Sequence, residues 1–323
     1  MLGIDYKLIS IKVYNELDYF SFIMKKIKAI WELMRLEHGV MIALGILVGS
    51  LVALKGSGFP SFDKFILTFF TALFLEASTF ALNDYYDLEI DRKNNRIDRP
   101  LVRGDLSPKS ALILFSIFFP LGLICSFFVN ITCFVIASIT ALLAILYDAK
   151  MKKIKLLGNF YIAYVMAIPF IFGGAAVITN ETLFFEIDPA IYIIAFIAFI
   201  AGSGREIMKD VMDFKGDREK GVRSFPKYIG TRKSNILAAL FYIIAVVLSL
   251  IPFFNEGFDL YYLNYYYLSI VFITDTMLLS ASLHLILKKE PRLKIYRRFT
   301  FYAIFIGLLA FLIPVIILII SGG

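Results

Sequence analysis

Long apolar stretches alternate with short polar connections along most of the chain. A helix that crosses a bilayer needs about 20 mainly apolar residues, and about nine stretches reach that length. Their approximate bounds are residues 38–54, 62–86, 109–129, 131–147, 159–178, 189–208, 235–254, 262–287 and 299–320. The pattern predicts an all-α, polytopic membrane protein with about nine transmembrane helices, and with membrane lipids as its surroundings.

The N-terminal region is more polar than the stretches that follow it. Lys25, Lys26 and Lys28 interleave with isoleucine side chains at helical spacing, which is typical of a helix that lies in the membrane interface. We therefore expect two regions, a cytoplasmic or interfacial segment over residues 1–35 and a transmembrane domain over residues 36–323.

Composition agrees with a membrane protein. Of the 323 residues 59% are hydrophobic and 18% are charged, whereas the apolar share of a soluble domain is nearer to half. The two cysteines lie in apolar stretches and form no Cys-x-x-Cys pair, so a zinc centre or a disulfide framework is not expected.

Basic residues are concentrated in alternate connections. They lie in the N-terminal segment and in the connections around residues 92–103, 150–155, 209–233 and 288–298, while the opposite connections contain only Lys55 and Lys64. The positive-inside rule places the basic connections and the N-terminus in the cytoplasm and the C-terminus outside. This topology accounts for the net charge of +7, so we expect no nucleic-acid partner.

One acidic pattern, D-x-x-D-x-x-x-D, occurs twice, at the predicted cytoplasmic ends of the second and sixth spans. Spacings of three and four residues return to the same face of a helix, so each copy would project a column of carboxylates in one direction. Like charges stacked in this way repel unless a cation compensates them. The first copy consists of Asp84, Asp87 and Asp91, and the second of Asp210, Asp213 and Asp217.

The ligands that these motifs offer are oxygen atoms, which favour Mg²⁺ or Ca²⁺ over zinc or copper. Mg²⁺ fits better, because it takes one or two carboxylates and completes its shell with water and substrate phosphates. One such motif alone would indicate a solvated helix end, but two matched copies indicate a site for metal and diphosphate. We expect two Mg²⁺ ions, with ligands drawn from Asn83, Asp84, Asp87, Asp91, Asp210, Asp213 and Asp217.

Other polar residues near the motifs could assist. As a set, the neighbouring basic residues could neutralise a diphosphate, although topology alone would also place them there. Tyr147 and Lys152 stand at the cytoplasmic end of the fourth span, where anchoring is an alternative to catalysis. The candidates for diphosphate binding are Arg35, Lys93, Arg103, Arg205, Lys209 and Arg223.

These motifs resemble the signatures of a known family. The run from Asn83 to Arg92, with Arg99-Pro-Leu and Gly104 after it, is similar to the first signature of the UbiA-type prenyltransferases. The run from Gly204 to Asp217 is similar to the second, and Tyr147, Lys152 and Asn159 are similar to the central loop of that family.

The resemblance implies nine transmembrane helices around a central cavity, with the two motifs facing each other beneath a cytoplasmic cap. It implies magnesium–diphosphate binding by Asn83 and by the aspartates of both motifs, with Asp87 and Asp213 essential to catalysis. It also implies that Tyr147 and Lys152 assist the departure of diphosphate. Magnesium-assisted ionisation of a prenyl diphosphate would then be followed by alkylation of a lipophilic acceptor.

The substrates follow from a closer resemblance within the family. The Gly-Arg-Glu-Ile-x-Lys-Asp run that begins at Gly204 resembles archaeal digeranylgeranylglyceryl phosphate synthases. This implies geranylgeranyl diphosphate as donor and geranylgeranylglyceryl phosphate as acceptor, in ether-lipid synthesis. An aromatic acceptor of the quinone or chlorophyll type is the alternative within the family. A secondary transporter is the alternative from another class, but transporter sites lie near the bilayer midplane and not at cytoplasmic helix ends.

Overall fold

The structure is a computed structural model that describes residues 6–151, 154–178, 187–219 and 221–321, without the side chains of 6–19, 36–38 and 40. Within these residues the chain forms eleven α-helices and no β-strand. The helices are α1 (Tyr6–Met34), α2 (Leu36–Ala53), α3 (Phe62–Lys93), α4 (Pro100–Arg103), α5 (Pro108–Val129), α6 (Ile131–Ala149), α7 (Lys155–Ala176), α8 (Pro189–Glu219), α9 (Phe225–Phe254), α10 (Tyr265–Leu287) and α11 (Leu293–Ser321).

The helices confirm an all-α, multi-pass membrane protein. Among the described residues, eight helices are long and apolar enough to cross a bilayer, namely α3 and α5 to α11. The first expected span, over residues 38–54, corresponds to α2, whose apolar part Met41–Ala53 is shorter. Nine is therefore an approximate number of spans.

The chain divides into two compact units. The first comprises residues 1–39 and 73–121, and the second comprises residues 40–72 and 122–323. This division does not follow the boundary expected at residue 35, and a separate role for residues 1–35 stays a prediction. Helix α1 ends next to that boundary, and its exposed Phe20, Ile27 and Trp31 suit an interfacial helix.

Each unit has its own apolar core. In the first unit Leu33, Leu88 and Leu101 bring α1, α3 and α4 together. In the second unit α8 packs against α7, α9 and α11 and is the most deeply buried of the eight long helices just described. Ile207 and Met208 of α8 lie in a core that is shared with α9, α10 and α11. Burial on several sides fixes the orientation of α8, the helix that carries the second acidic motif.

Two glycines allow α2 and α7 to approach closely inside the second unit. A Cβ atom at Gly173 would lie 2.0 Å from the carbonyl oxygen of Ile46, and one at Gly49 would lie 2.1 Å from that of Phe170. Ser50 donates a hydrogen bond of 2.9 Å to the carbonyl oxygen of Gly173. Small residues at the crossing of membrane helices let the backbones touch in this way.

Lys55 and Lys64 were the exceptions to the charge asymmetry of the connections, and the structure gives both of them partners within the second unit. The ammonium of Lys55 lies 3.2 Å from a carboxylate oxygen of Asp188 and 3.3 Å from one of Asp259. The hydrogen bond to Asp188 is the main cause that raises the pKa of Lys55. Lys64 donates to the carbonyl oxygen of Ile178 at 3.4 Å. Local partners therefore account for these two lysines.

The contact between α2 and α7 leads to a stability prediction. We expect Gly173→Ala to lower the thermal unfolding midpoint in detergent, because the added methyl group would meet the Ile46 carbonyl oxygen at 2.0 Å. Overpacking of this kind typically costs about 1–3 kcal/mol.

Gly216→Ala is the matched control for this substitution. Gly216 is helical and no atom lies within 4 Å of the added Cβ, so the higher helix propensity of alanine should leave the midpoint unchanged or slightly raised. A wild-type midpoint for Gly173→Ala would contradict the close approach of the two helices.

Candidate active site

Both acidic motifs are helical throughout and lie at the ends of unusually long helices. Helices α3 and α8 contain 32 and 31 residues, which corresponds to about 48 and 46 Å at a rise of 1.5 Å per residue. The hydrocarbon core of a bilayer is about 30 Å thick. The last turns of each helix, with their carboxylates, therefore extend beyond the apolar layer.

The first aspartate of motif one, Asp84, is buried and bound by two arginines of the same unit. Its side chain is 2% exposed and lies 2.5 Å from Nη2 of Arg35 and 3.1 Å from Nη1 of Arg99. Arg35 separates α1 from α2 with a positive φ of 47°, and its guanidinium lies over the Phe80 ring at 4.4 Å from the centroid. The carboxylate charge of Asp84 is thus compensated inside the protein.

The remaining ligand candidates of motif one differ in burial. Asn83 and Asp87 are half-buried, and Asp91 is buried. One oxygen of Asp91 lies 3.9 Å from Nε of Arg99, too far for a hydrogen bond, and that Nε atom is buried without an acceptor. Asp87 and Asp91 are four residues apart on α3 and so lie on one face, as expected from the sequence.

The segment that follows α3 is held by its own ion pairs. Arg96 donates two hydrogen bonds to Asp98, and these are the main cause that lowers the pKa of Asp98. Arg103 binds Asp105 at 2.7 Å and also Glu32 of α1. The hydrogen bond from Arg103, followed by that from Lys25, lowers the pKa of Asp105. Arg103, expected near a diphosphate, therefore already joins α1 to this segment.

The second motif repeats this arrangement with different partners. Asp210 is 2% exposed and accepts a hydrogen bond of 2.8 Å from the amide of Asn159. Lys155 lies 3.5 Å from Asp210 and donates a hydrogen bond of 2.6 Å to Asp217. Asp213 is exposed. In both motifs the first aspartate is the most deeply buried one, and in both it is compensated by polar groups from another helix or connection of its own unit.

The expected catalytic residues of the central loop are only partly described. Tyr147 is half-buried at the end of α6 and stacks on Tyr161 of α7, with ring centroids 4.7 Å apart. Tyr164 continues this aromatic column at 6.5 Å from Tyr161. Lys152 lies outside the described residues. Lys93 is exposed at the end of α3, and Arg223 is exposed where its backbone pairs with Ile154.

Two further basic candidates, Arg205 and Lys209, lie on α8 and share the carboxylate of Glu206. Lys209 donates to both oxygens of Glu206, at 2.6 and 2.9 Å. Arg205 lies 3.5 Å from the same carboxylate, and its guanidinium lies over the ring of Phe301 at 5.6 Å from the centroid. These residues form a cluster that is separate from the contacts of Asp210.

The donor set suits magnesium. Among the described residues, no group of three or more His, Cys, Asp or Glu side chains converges on one point. Each motif instead presents pairs of carboxylates four residues apart. A calcium cage would require more protein oxygens, whereas Mg²⁺ accepts one or two carboxylates together with water and phosphate oxygens. The residues present therefore fit Mg²⁺ bound jointly with an anionic substrate.

In the sequence Lys155 was counted only among the basic residues that indicate a cytoplasmic connection. The structure places it between Asp210 and Asp217. The spacing of four residues between Lys155 and Asn159 could have indicated a shared role, because it puts both side chains on one face of α7. Similarly, Arg99 was identified only as part of the first family signature, and the structure shows that it is bound to Asp84. In each case the partner comes from a different helix or connection, which spacing alone does not identify.

Comparison with known proteins identifies the family. The model of the UbiA prenyltransferase family matches residues 42–294. A digeranylgeranylglyceryl phosphate synthase from Archaeoglobus fulgidus is 41% identical over 289 residues, which cover 88% of this chain and 94% of that protein.

Solved structures share the fold. One, of a digeranylgeranylglyceryl phosphate synthase, has a TM-score of 0.76 and 33% identity, and the match covers 90% of this chain and 99% of that one. A UbiA homologue from Archaeoglobus fulgidus, bound to DMAPP and Mg²⁺, has a TM-score of 0.56 and 18% identity, with 87% and 98% covered.

The family model extends over both acidic motifs, and the relative that is 41% identical spans most of both chains. Family membership also decides between the enzyme and transporter alternatives. The chain therefore belongs to the UbiA prenyltransferase family and is an intramembrane prenyltransferase.

Proposed function

We propose that this enzyme transfers the geranylgeranyl group of geranylgeranyl diphosphate to geranylgeranylglyceryl phosphate, a step of ether-lipid synthesis. The observation that carries the proposal is the 41% identity to a digeranylgeranylglyceryl phosphate synthase along 88% of this chain. The two acidic motifs supply the chemistry that such a transfer needs. The fold shared with the relative that binds DMAPP and Mg²⁺ is consistent with a prenyl diphosphate donor.

The roles within each motif follow the extent of burial, which is greatest at the first aspartate. Asp84 and Asp210 are positioning residues, because internal cations or amides already bind them. The carboxylates that follow Asp84 and Asp210 along each helix, here called the outer carboxylates, would hold one Mg²⁺ at each motif, so that two ions are bound. The ligands are Asn83, Asp87 and Asp91 in motif one and Asp213 and Asp217 in motif two. When bound, Mg²⁺ supplies positive charge that stabilises the diphosphate as the allylic C–O bond breaks.

The side chains of the protein complete the leaving-group site. Exposed Lys93 and Arg223 add positive charge for the diphosphate. Lys155 adds a further positive charge when Asp217 binds another cation in its place. The hydroxyl of Tyr147 donates a hydrogen bond to the departing group. The ring faces of Tyr147, Tyr161 and Tyr164 attract the allylic cation. Lys152 is proposed to assist departure on the basis of the family resemblance alone.

The sidedness of the site follows from charge. The acidic motifs, the N-terminus and the basic connections lie on the cytoplasmic side, and the C-terminus lies outside, if the positive-inside rule holds for this chain. The anionic substrates would then reach the motifs from the cytoplasmic leaflet. Exclusion of water from the site protects the allylic cation from hydrolysis.

The first test of this function compares substitutions of the outer aspartates with substitution of the buried first aspartate. We expect Asp87→Asn and Asp213→Asn to lower turnover by about 100-fold or more, because each removes a charged metal ligand. Their thermal unfolding midpoints should stay close to that of the wild type, because neither side chain is fully buried. Prenyl transfer and thermal unfolding are measured on the same preparations.

Two controls accompany these variants. Glu89 is exposed on α3, away from the carboxylate face, so Glu89→Gln should leave both turnover and midpoint unchanged. Asp84→Asn should instead lower stability, by about 3–5 kcal/mol, because it removes the buried carboxylate that Arg35 and Arg99 share. Wild-type turnover in Asp87→Asn or Asp213→Asn would refute the two-motif site.

The second test concerns the metal. We expect activity with Mg²⁺ or Mn²⁺ and loss of activity in a chelator, with recovery when Mg²⁺ is restored. Zn²⁺ should restore activity poorly, because the motifs supply oxygen ligands and no nitrogen or sulfur ligand. Metal titration of chelator-treated enzyme measures this. Full turnover in chelator, with no divalent ion added, would contradict the proposed role of the motifs.

The third test concerns the acceptor. Under identical conditions we expect faster transfer to geranylgeranylglyceryl phosphate than to 4-hydroxybenzoate or a naphthoate. The comparison uses labelled geranylgeranyl diphosphate and initial rates. Faster prenylation of either aromatic acid would replace the lipid acceptor by the quinone-type alternative, while the assignment as a prenyltransferase would stand.

A further inference from the structure

The acceptor in the proposed function is a phosphate monoester, which requires cationic groups of its own. The arginines of the segment after α3, which the sequence makes the obvious candidates, already have carboxylate partners. The pairs are Arg96 with Asp98, Arg99 with Asp84, and Arg103 with Glu32 and Asp105. The second unit offers a different group of basic side chains.

This group is the Arg205–Glu206–Lys209 cluster of α8. Glu206 has a side chain that is only 8% exposed, and it lies 2.6 Å from Lys209 and 3.5 Å from Arg205. Two cations share one carboxylate, so the cluster has a net positive charge of one. Net charge at a largely buried position is costly unless a counter-ion compensates it. An anionic ligand would supply that counter-ion.

Arg205 also has an unused hydrogen-bond donor. Its Nε atom is buried and has no acceptor, and its guanidinium is held over the ring of Phe301 at 5.6 Å from the centroid. A buried donor without a partner is destabilising, which makes such a group a candidate for ligand binding. The planar guanidinium can present paired N–H groups to phosphate oxygens. Lys209 adds an ammonium whose side chain is 28% exposed.

The position of the cluster along α8 suits an acceptor. Lys209 and Arg205 precede Asp213 by four and eight residues, about 6 and 12 Å along the helix axis. At about 100° per residue they lie on the same side of α8 as Asp213, offset by about 40° and 80°. The phosphate and the reacting hydroxyl of a glyceryl phosphate share one three-carbon backbone. A phosphate bound by the cluster would therefore keep the hydroxyl near a donor whose diphosphate is bound at Asp213.

We propose that Arg205 and Lys209 bind the phosphate of the acceptor, and that Glu206 holds the two cations in place. The inference rests on the proposed function, since it identifies the part of that site which selects a phosphorylated lipid. In this assignment Arg205 and Lys209 do not bind the donor diphosphate, which the outer carboxylates and their metal would bind. Selection between a phosphate monoester and a neutral glycerol lipid is thus assigned to α8.

The experiment compares two acceptors that differ only in the phosphate, geranylgeranylglyceryl phosphate and geranylgeranylglycerol. We expect Arg205→Gln to raise the KM for the phosphorylated acceptor about tenfold or more, because charge-assisted hydrogen bonds are lost. The KM for geranylgeranyl diphosphate and the slow rate with the neutral lipid should not change. Lys209→Gln should act in the same direction, which provides a second variant if the first folds poorly.

Lys215→Gln is the matched control, because it removes an exposed positive charge from the same helix. It should leave the preference for the phosphorylated acceptor as in the wild type. An unchanged preference in both Arg205→Gln and Lys209→Gln would overturn the inference, and so would an equal rise in the KM for geranylgeranyl diphosphate. Failure of the proposed function would give a different result, because the wild-type enzyme itself would then prefer an aromatic acid to either lipid.

Discussion

A carboxylate at the end of a membrane-spanning helix must have its charge compensated, and the candidate site is built around this constraint. Asp84 and Asp210 are each 2% exposed, so a negative charge there is costly without partners. Arg35 and Arg99 compensate the first, and Lys155 with Asn159 compensates the second. These contacts hold the helix ends in place.

The helical fold could be predicted because its cause is local. A run of about 20 apolar residues is sufficient to define a membrane helix, and eight of the expected spans correspond to long apolar helices among the described residues. The D-x-x-D-x-x-x-D spacing likewise predicted one-sided carboxylates, and α3 and α8 remain helical through both motifs.

The pairing of charges could not be predicted in the same way, because it depends on which helices pack together. Lys155 and Arg103 look alike in the sequence, as basic residues in basic connections. In the structure Lys155 lies against motif two, whereas Arg103 joins α1 to the segment after α4. The contact between Glu206 and Lys209 was local enough to be deduced, since residues three apart on a helix are neighbours.

The ion pairs of Lys55 affect how the second unit can move. Lys55 follows α2, Asp188 precedes α8 and Asp259 follows α9, so two contacts at 3.2 and 3.3 Å connect three helix ends. All three ends lie opposite to the end of α8 that carries Asp213 and Asp217. Separation of these helices at the Lys55 end would break both ion pairs. The second unit is therefore tied together by charge at both ends of α8, by Lys55 at the start of the helix and by Lys155 at the acidic end.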